Sequence, residues 1–183
     1  SNVTDIAGMF NYCPALTEVI GLDKINTSKV TRMDNMFKSC RGLKSLDLSK
    51  LDIGSVTSFS EAFVACGATY LNISNWHIGE RVSGVSMWNM FANAGSLIDL
   101  ITTGMTVTNA TDTYNLFYNC KQLQSVDLNG WDFSNSGNVN YMFGNCENLA
   151  SINFNGCTWT TNTNMHQAIF YMCKSLTSLD LHE

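Results

Sequence analysis

Apolar and polar positions follow a pattern that repeats every 26 to 28 residues along the whole chain. Phenylalanine marks the same place in each unit, at positions 10, 37, 63, 91, 117, 143 and 170. A fixed period of 20 to 50 residues is typical of solenoids, in which each unit buries its apolar face against its neighbours. The pattern therefore predicts one elongated domain, residues 1–183, built from about seven stacked units.

The unit from Val30 to Ile53 contains two different apolar periods. Spacings of three and four residues lead from Val30 to Cys40, which predicts one face of a short helix. Leu46, Asp47 and Leu48 then alternate between apolar and polar, which is the period of a strand with one buried face. Stacked copies would form a parallel sheet on one side and helices on the other, wound right-handed. The expected fold is a right-handed α/β solenoid of leucine-rich-repeat type.

Composition narrows the possible partners. The net charge is −5, the pI is near 5.0, and the ten basic residues are scattered. Nucleic-acid binders instead gather Lys and Arg on one face, so we expect no nucleic-acid partner. No run of about 18 apolar residues is present, so we expect no membrane insertion within this segment. The chain opens inside a unit and shows no polar caps, which predicts a segment of a longer protein.

Six of the seven cysteines fall in one column of the repeat, where Ala94 fills the missing position. A column that accepts Cys or Ala indicates a small buried slot, and the odd total argues against a disulfide ladder. Trp76 and Trp131 lie in the extended stretch that follows the L-x-L strand of each unit, called here the return segment, where partial exposure is possible. The three histidines occupy different columns, and no catalytic or metal-binding arrangement converges. We therefore expect a protein that is not an enzyme and has no cofactor or bound metal.

The outward side chains of the L-x-L strands, here called the strand face, are the best candidates for binding. Asn72 and Ile101 separate Asp47 from Asp127 in the middle column, so acids lie about 10 Å apart and cannot share one cation. Two readings remain open: a solvated polar sheet face, or a mildly acidic concave surface that meets a partner. For the second reading the predicted contact residues are Asp47, Tyr70, Asn72, Asp99, Asp127, Asn153 and Asp180.

The phrase from Val30 to Ser49, V-T-x-M-x-x-M-F-x-x-C-x-x-L-x-x-L-D-L-S, resembles the BspA-like bacterial surface-protein repeat. That repeat is a relative of the leucine-rich repeats, and the resemblance extends over the entire chain. It implies a cell-surface or extracellular module for adhesion, whose partner is a protein or glycan on a host or neighbouring cell. The alternative is a structural or receptor-binding segment of a larger assembly, such as a viral tail or capsid appendage.

Overall fold

The computed structural model describes residues 3–161 and 167–181. Over these ranges the regular structure consists of short strands and one 3-10 helix at Leu22–Lys24. The strands are β1 (Ser45–Asp47), β2 (Tyr70–Asn72), β3 (His77–Ile78), β4 (Val85–Ser86), β5 (Asp99–Ile101), β6 (Thr106–Val107), β7 (Ala110–Asp112), β8 (Ser125–Asp127), β9 (Asp132–Phe133), β10 (Ser151–Asn153) and β11 (Thr158–Trp159). Each is only two or three residues long, so stability must come from stacking between units.

The strands pair in parallel, one unit against the next, along three lines of the molecule. The first line contains the L-x-L strands, in the sheets β1-β2-β5 and β8-β10. The second contains the pairs β3-β6 and β9-β11, which lie in the return segments. The third contains the pair β4-β7, and single bridges continue it through Asp5, Arg32, Ser58 and Ser86. The chain is therefore a solenoid of stacked parallel strands. Five of the seven expected L-x-L strands are confirmed, and the stretches around Ile20 and Asp180 form no strand.

The expected fold class is wrong, because no α-helix occurs in residues 3–161 or 167–181. The strands form a β-solenoid of about 4 turns, and the structure is not an α/β leucine-rich-repeat solenoid of seven units. The predicted helix between Val30 and Cys40 is a series of tight turns. The described residues accordingly contain no helix long and apolar enough to cross a membrane.

Backbone geometry explains why these turn segments, the stretches around each repeated phenylalanine, cannot be helices. The residues two before and two after Phe37 are left-handed, with φ of 56° at Asn35 and 61° at Ser39. The same two positions are left-handed around the other six repeated phenylalanines. Some amides of the segment bond to the next unit and others bond within the segment. Phe37 N–H donates to Ala62 O of the next unit at 2.8 Å, whereas Cys40 N–H donates to Phe37 O of its own turn at 3.2 Å. Three-residue turns thus imitate helical spacing while bonding to the next unit.

The repeated phenylalanines form the centre of the core. Their rings stack in sequence order with centroids 5.1 to 5.8 Å apart and nearly parallel planes. Beside them lie the repeat-column cysteines, and the thiol of Cys146 donates to Phe117 O at 3.0 Å. All seven cysteines are free, and burial raises the pKa of the Cys146 thiol to about 12. These thiols pack as small core groups, as the Cys/Ala column predicted.

The tryptophans of the return segment are buried, so their possible exposure is corrected. Trp76 and Trp131 are 0% and 1% exposed. The indole N–H of Trp76 donates to Leu48 O at 2.9 Å, which satisfies its polar atom inside the core. Neither ring is therefore available to a partner in the folded chain.

Candidate interaction surface

The three-stranded sheet brings four of the predicted contact residues together. Asp47 pairs with Asn72, and Tyr70 pairs with Asp99, in the parallel registers β1-β2 and β2-β5. The central leucine of each of these strands is buried, so the residues on either side point outward. Tyr70 is 38% exposed and is the one large aromatic side chain among these four. The columns inferred from the repeat are therefore correct in this sheet.

The second L-x-L sheet contains two more of the predicted residues. Asp127 pairs with Asn153 in the β8-β10 register, and Asn153 Nδ2 donates to Asp127 Oδ1 at 2.9 Å. The hydroxyl of Thr102 donates to Asp127 O at 3.0 Å and links this sheet to the preceding unit. Asp180 is exposed but lies outside the paired strands. The strand face thus carries six predicted residues on two sheets and a seventh beyond them.

The middle column of the strand face also has a local structural role. Four of its polar side chains accept the backbone N–H two residues later, with lengths of 3.0 to 3.1 Å: Asp47, Asn72, Asp127 and Asn153. Such Asx turns end a strand and redirect the chain. The Asp/Asn preference of this column therefore follows in part from turn formation and in part from bonds between neighbouring side chains, such as Asn153 with Asp127.

Hydrogen bonds around Asp47 favour the ionised form of its carboxyl group. The backbone N–H of Ser49 is the main cause that lowers the pKa of Asp47, with help from the Ser49 hydroxyl, Asn72 and the positive charge of Lys50. A carboxylate with a lowered pKa stays ionised at neutral pH. The face thus offers fixed negative charge and amide groups suited to hydrogen bonding with a partner.

The described residues contain no group of His, Cys, Asp and Glu that could hold a metal ion. His77 is exposed, and its Nδ1 lies 3.0 Å from the hydroxyl of Thr106. His166 and His182 fall outside the described residues. The strand face itself presents carboxylates, amides and the exposed ring of Tyr70.

A second surface, which the sequence reasoning missed, is a group of four tyrosines called here the tyrosine patch. Tyr114, Tyr118, Tyr141 and Tyr171, together with Asn115, line an open cleft of about 610 Å³. These residues lie on the outer side of the turn segments. The signal was present in the sequence, since tyrosine follows phenylalanine directly at positions 118 and 171. The sequence analysis grouped only the strand columns into a candidate surface, so these positions were left out.

A charged cleft of about 500 Å³ lies beside the return segments. Its lining includes Lys50, His77 and Glu80, together with an ion pair between Arg81 and Asp52. The Arg81 guanidinium lies against Gly54, where a Cβ would occupy its space. Positive and negative groups alternate in this cleft, so it has no single sign of charge to attract an ion.

The model of the family described as "Mycoplasma protein of unknown function, DUF285" matches residues 1–104 and again residues 80–181. The chain belongs to this family. The two matches together cover nearly all of the repeats, in agreement with a solenoid that is continuous from unit to unit. No curated protein and no solved structure matches the chain.

Proposed function

We propose that this chain is a non-enzymatic interaction module that binds a protein or glycan through its strand face. The observation that carries the proposal is the placement of Asp47, Tyr70, Asn72 and Asp99 on one exposed three-stranded sheet. The geometry of the strands does not by itself require an exposed tyrosine beside acids and amides. Tyr is a residue type enriched at interfaces, where its ring supplies area and its hydroxyl a hydrogen bond.

Rigidity supports the same proposal. Strand β2 is held by parallel pairing on both sides, and the central leucines of β1, β2 and β5 are buried in the core. A face that is already ordered before binding loses little conformational entropy when a partner docks. Adjacent strands lie about 4.8 Å apart, so outward side chains form an array that can follow an extended partner. Affinity would then come from area and complementarity.

The resemblance to the BspA-like repeat supports a place for this module at a cell surface or outside the cell. The shared phrase runs from Val30 to Ser49 and includes the strand β1. Under this proposal the partner is a protein or glycan of a host or neighbouring cell, and neither nucleic acid nor the membrane interior is contacted. The net charge of −5 favours partners that are neutral or basic.

The test is charge reversal on the strand face. The variant Asp47→Lys/Asp127→Lys/Asp180→Lys should bind immobilised extracellular-matrix proteins and a glycan array at least tenfold more weakly than the unchanged chain, because each lysine repels a basic partner group. Glu80→Lys is the control, since Glu80 is an exposed acid in the charged cleft and not on the strand face. If the triple variant keeps every interaction of the unchanged chain, the strand face is not the binding surface.

A segment of a larger assembly is the second candidate, and exposed apolar side chains in the outermost units favour it. Ile20 is 83% exposed and Leu181 is 58% exposed, while Phe10 and Phe170 are only half-buried. In that case contacts would be made by the outermost units, and the strand face would tolerate substitution. Ile20→Lys and Leu181→Lys should then abolish assembly, whereas the triple strand-face variant should leave it unchanged.

A further inference from the structure

We propose that the tyrosine patch binds a proline-rich peptide segment in the polyproline II conformation. This site lies on the turn segments, so it is separate from the strand face and does not depend on the function proposed above. Polyproline II segments dock into grooves lined by aromatic side chains. Four observations about the patch lead to this class of ligand: a slot, a wall, a spacing and a set of outward hydrogen-bonding groups.

The slot arises from the column that follows the repeated phenylalanine. In three successive units this column contains Tyr118, Gly144 and Tyr171. The phenylalanines directly before them stack at 5.2 and 5.7 Å, which places the three residues in line along the solenoid. Glycine in the middle contributes no side chain. The ring of Tyr118 occupies part of the space that glycine leaves free, and Tyr118 and Tyr171 both line the open cleft, called here the slot.

Gly144 is fitted closely to one of these rings. A Cβ at this position would lie 2.9 Å from Cδ2 and 3.2 Å from Cε2 of Tyr118, which is closer than carbon atoms normally approach. The ring of Tyr118 thus leans over the glycine backbone. The backbone itself does not require glycine here, because Gly144 has no left-handed φ. Packing against Tyr118 is the physical reason for the small residue.

Tyr141 forms the wall of the slot. Its ring centroid lies 6.3 Å from that of Tyr118 and 6.4 Å from those of Tyr171 and Tyr114. All three contacts are edge-to-face, with interplanar angles of 80° to 87°. Rings that meet at right angles form ridges with hollows between them. Ridges and hollows suit a proline ring, whereas a sugar ring stacks best on a broad flat face, so the geometry favours the peptide.

The step between units of the solenoid is close to the repeat of the proposed ligand. Tyr118 and Tyr171 are two units apart, which is about 9.6 Å at about 4.8 Å per step. One turn of polyproline II contains three residues and advances about 9.3 Å. A peptide that runs along the solenoid axis would therefore present an equivalent proline to each ridge. Trp88, which is 37% exposed, occupies the position of Tyr114 one unit earlier and extends the aromatic surface in this direction.

The polar groups of the patch suit the backbone of such a peptide. Polyproline II has no internal hydrogen bonds, so its carbonyl groups need outside donors. Asn145 Nδ2 donates to the Tyr118 hydroxyl oxygen at 2.9 Å, which orients the phenol and leaves its own hydrogen to donate outward. The lining residues carry no formal charge. Nearby Glu147 pairs with Lys121 at 3.3 Å and Lys174 at 2.6 Å, so these charges neutralise one another beside the cleft.

Binding of fluorescein-labelled decaproline, measured by fluorescence anisotropy, tests the proposal. The unchanged chain should bind decaproline saturably and should not bind a labelled glycine-serine peptide of equal length. Tyr171→Ala should weaken binding about tenfold, since a central aromatic contact contributes more than about 1 kcal/mol. Tyr171 is 54% exposed, so its replacement should leave the fold intact. Gly144→Val should also weaken binding at least tenfold, because its side chain would displace the ring of Tyr118.

Two variants separate the slot from general surface stickiness. Tyr12→Ala removes a tyrosine that is 70% exposed and lies outside the patch, and it should leave decaproline binding unchanged. Tyr171→Phe keeps the ring and should retain most of the affinity. Circular dichroism of every variant should match that of the unchanged chain.

Three outcomes would overturn the proposal. The first is an absence of saturable decaproline binding up to about 1 mM, the weak end of specific recognition. The second is binding that survives both Tyr171→Ala and Gly144→Val in folded protein. The third is saturable binding of a chitohexaose probe that these two substitutions abolish, combined with no decaproline binding; the patch would then be a sugar site. Loss of strand-face binding by charge reversal affects none of these readouts, so the two proposals fail independently.

Discussion

Truncation of one ring in the phenylalanine stack should cost stability in proportion to the number of rings that it contacts. Phe117 is fully buried and stacks on Phe91 at 5.1 Å and on Phe143 at 5.2 Å. Phe117→Ala should lower the free energy of unfolding by about 3–5 kcal/mol, through lost burial and the cavity that remains. Phe10 is half-buried and contacts the ring of Phe37 at 5.1 Å. Phe10→Ala should cost about half as much.

A double-mutant cycle isolates the stacking contribution from burial. Phe91→Ala and Phe117→Ala remove adjacent rings, so their coupling should be about 0.5–1.5 kcal/mol. Phe63→Ala and Phe143→Ala remove rings that are separated by Phe91 and Phe117 and have no stacking partner in common, so their coupling should be near zero. The second pair is the matched control, because all four rings are buried.

Urea unfolding monitored by circular dichroism measures these differences. Arrays of repeats can unfold in parts, so the slope of the free energy against urea must be compared among variants before their midpoints are compared. Equal losses for Phe10→Ala and Phe117→Ala would refute the reasoning, as would equal coupling for the adjacent and separated pairs. Either result would mean that stability is not set by contacts between neighbouring units.

Three further predictions concern the backbone and the thiols. Asn119 has φ of 62°, so Asn119→Val should destabilise the chain by about 1–2 kcal/mol in urea unfolding, whereas Asn119→Gly should cost less. Gly79→Ala should lower the thermal midpoint clearly more than Gly130→Ala does. Both glycines have a left-handed φ, but only at Gly79 would a Cβ collide with the backbone, 1.8 Å from Thr108 O. Similar thermal midpoints for the two variants would contradict this prediction. Burial raises the pKa of Cys146 from an ordinary value of 9.0 to about 12, so its contribution is complete below pH 9 and is lost as pH rises toward 12. Cys146→Ala should flatten this alkaline loss of stability, and Cys146 should react with a thiol reagent only on unfolding.

The repeat and the strand columns were open to prediction because they depend on simple side-chain chemistry. The two-residue alternation at Leu46, Asp47 and Leu48 reports burial of one strand face, and the register of the repeat fixes which residues become neighbours. Counting residues along the repeat therefore predicts that Asp47 lies next to Asn72 and that Tyr70 lies next to Asp99, as the strand registers show. The stacking of like residues in a column follows from the same count.

The turn segments could not be recognised from apolar spacing alone. A series of i to i−3 turns buries every third or fourth residue, as a helix does, so Met33, Phe37 and Cys40 give the same signal in both structures. The distinguishing signal was asparagine at the positions two before or two after phenylalanine, such as Asn35 and Asn119. Asparagine tolerates left-handed φ better than most residues, so a fixed pair of such positions argues against a helix.

The tyrosine patch was hidden because its side chains belong to different columns of the repeat. Tyr118 and Tyr141 lie in two such columns, and the path of the backbone brings their rings to 6.3 Å. Knowledge of the turn geometry is therefore needed before side chains outside the core can be grouped into sites.

The parallel pairing of each strand with its counterpart one unit away has a consequence for how such proteins change in size. The bond between Phe37 and Ala62, like that between Phe91 and Leu116, spans a single sequence unit. Gain or loss of a whole unit would leave every remaining partner in place and would shift the far end by one fixed increment of about 4.8 Å. Gain or loss of a fraction of a unit would break the alignment of every column beyond it. The length of such a solenoid can therefore change only by whole units.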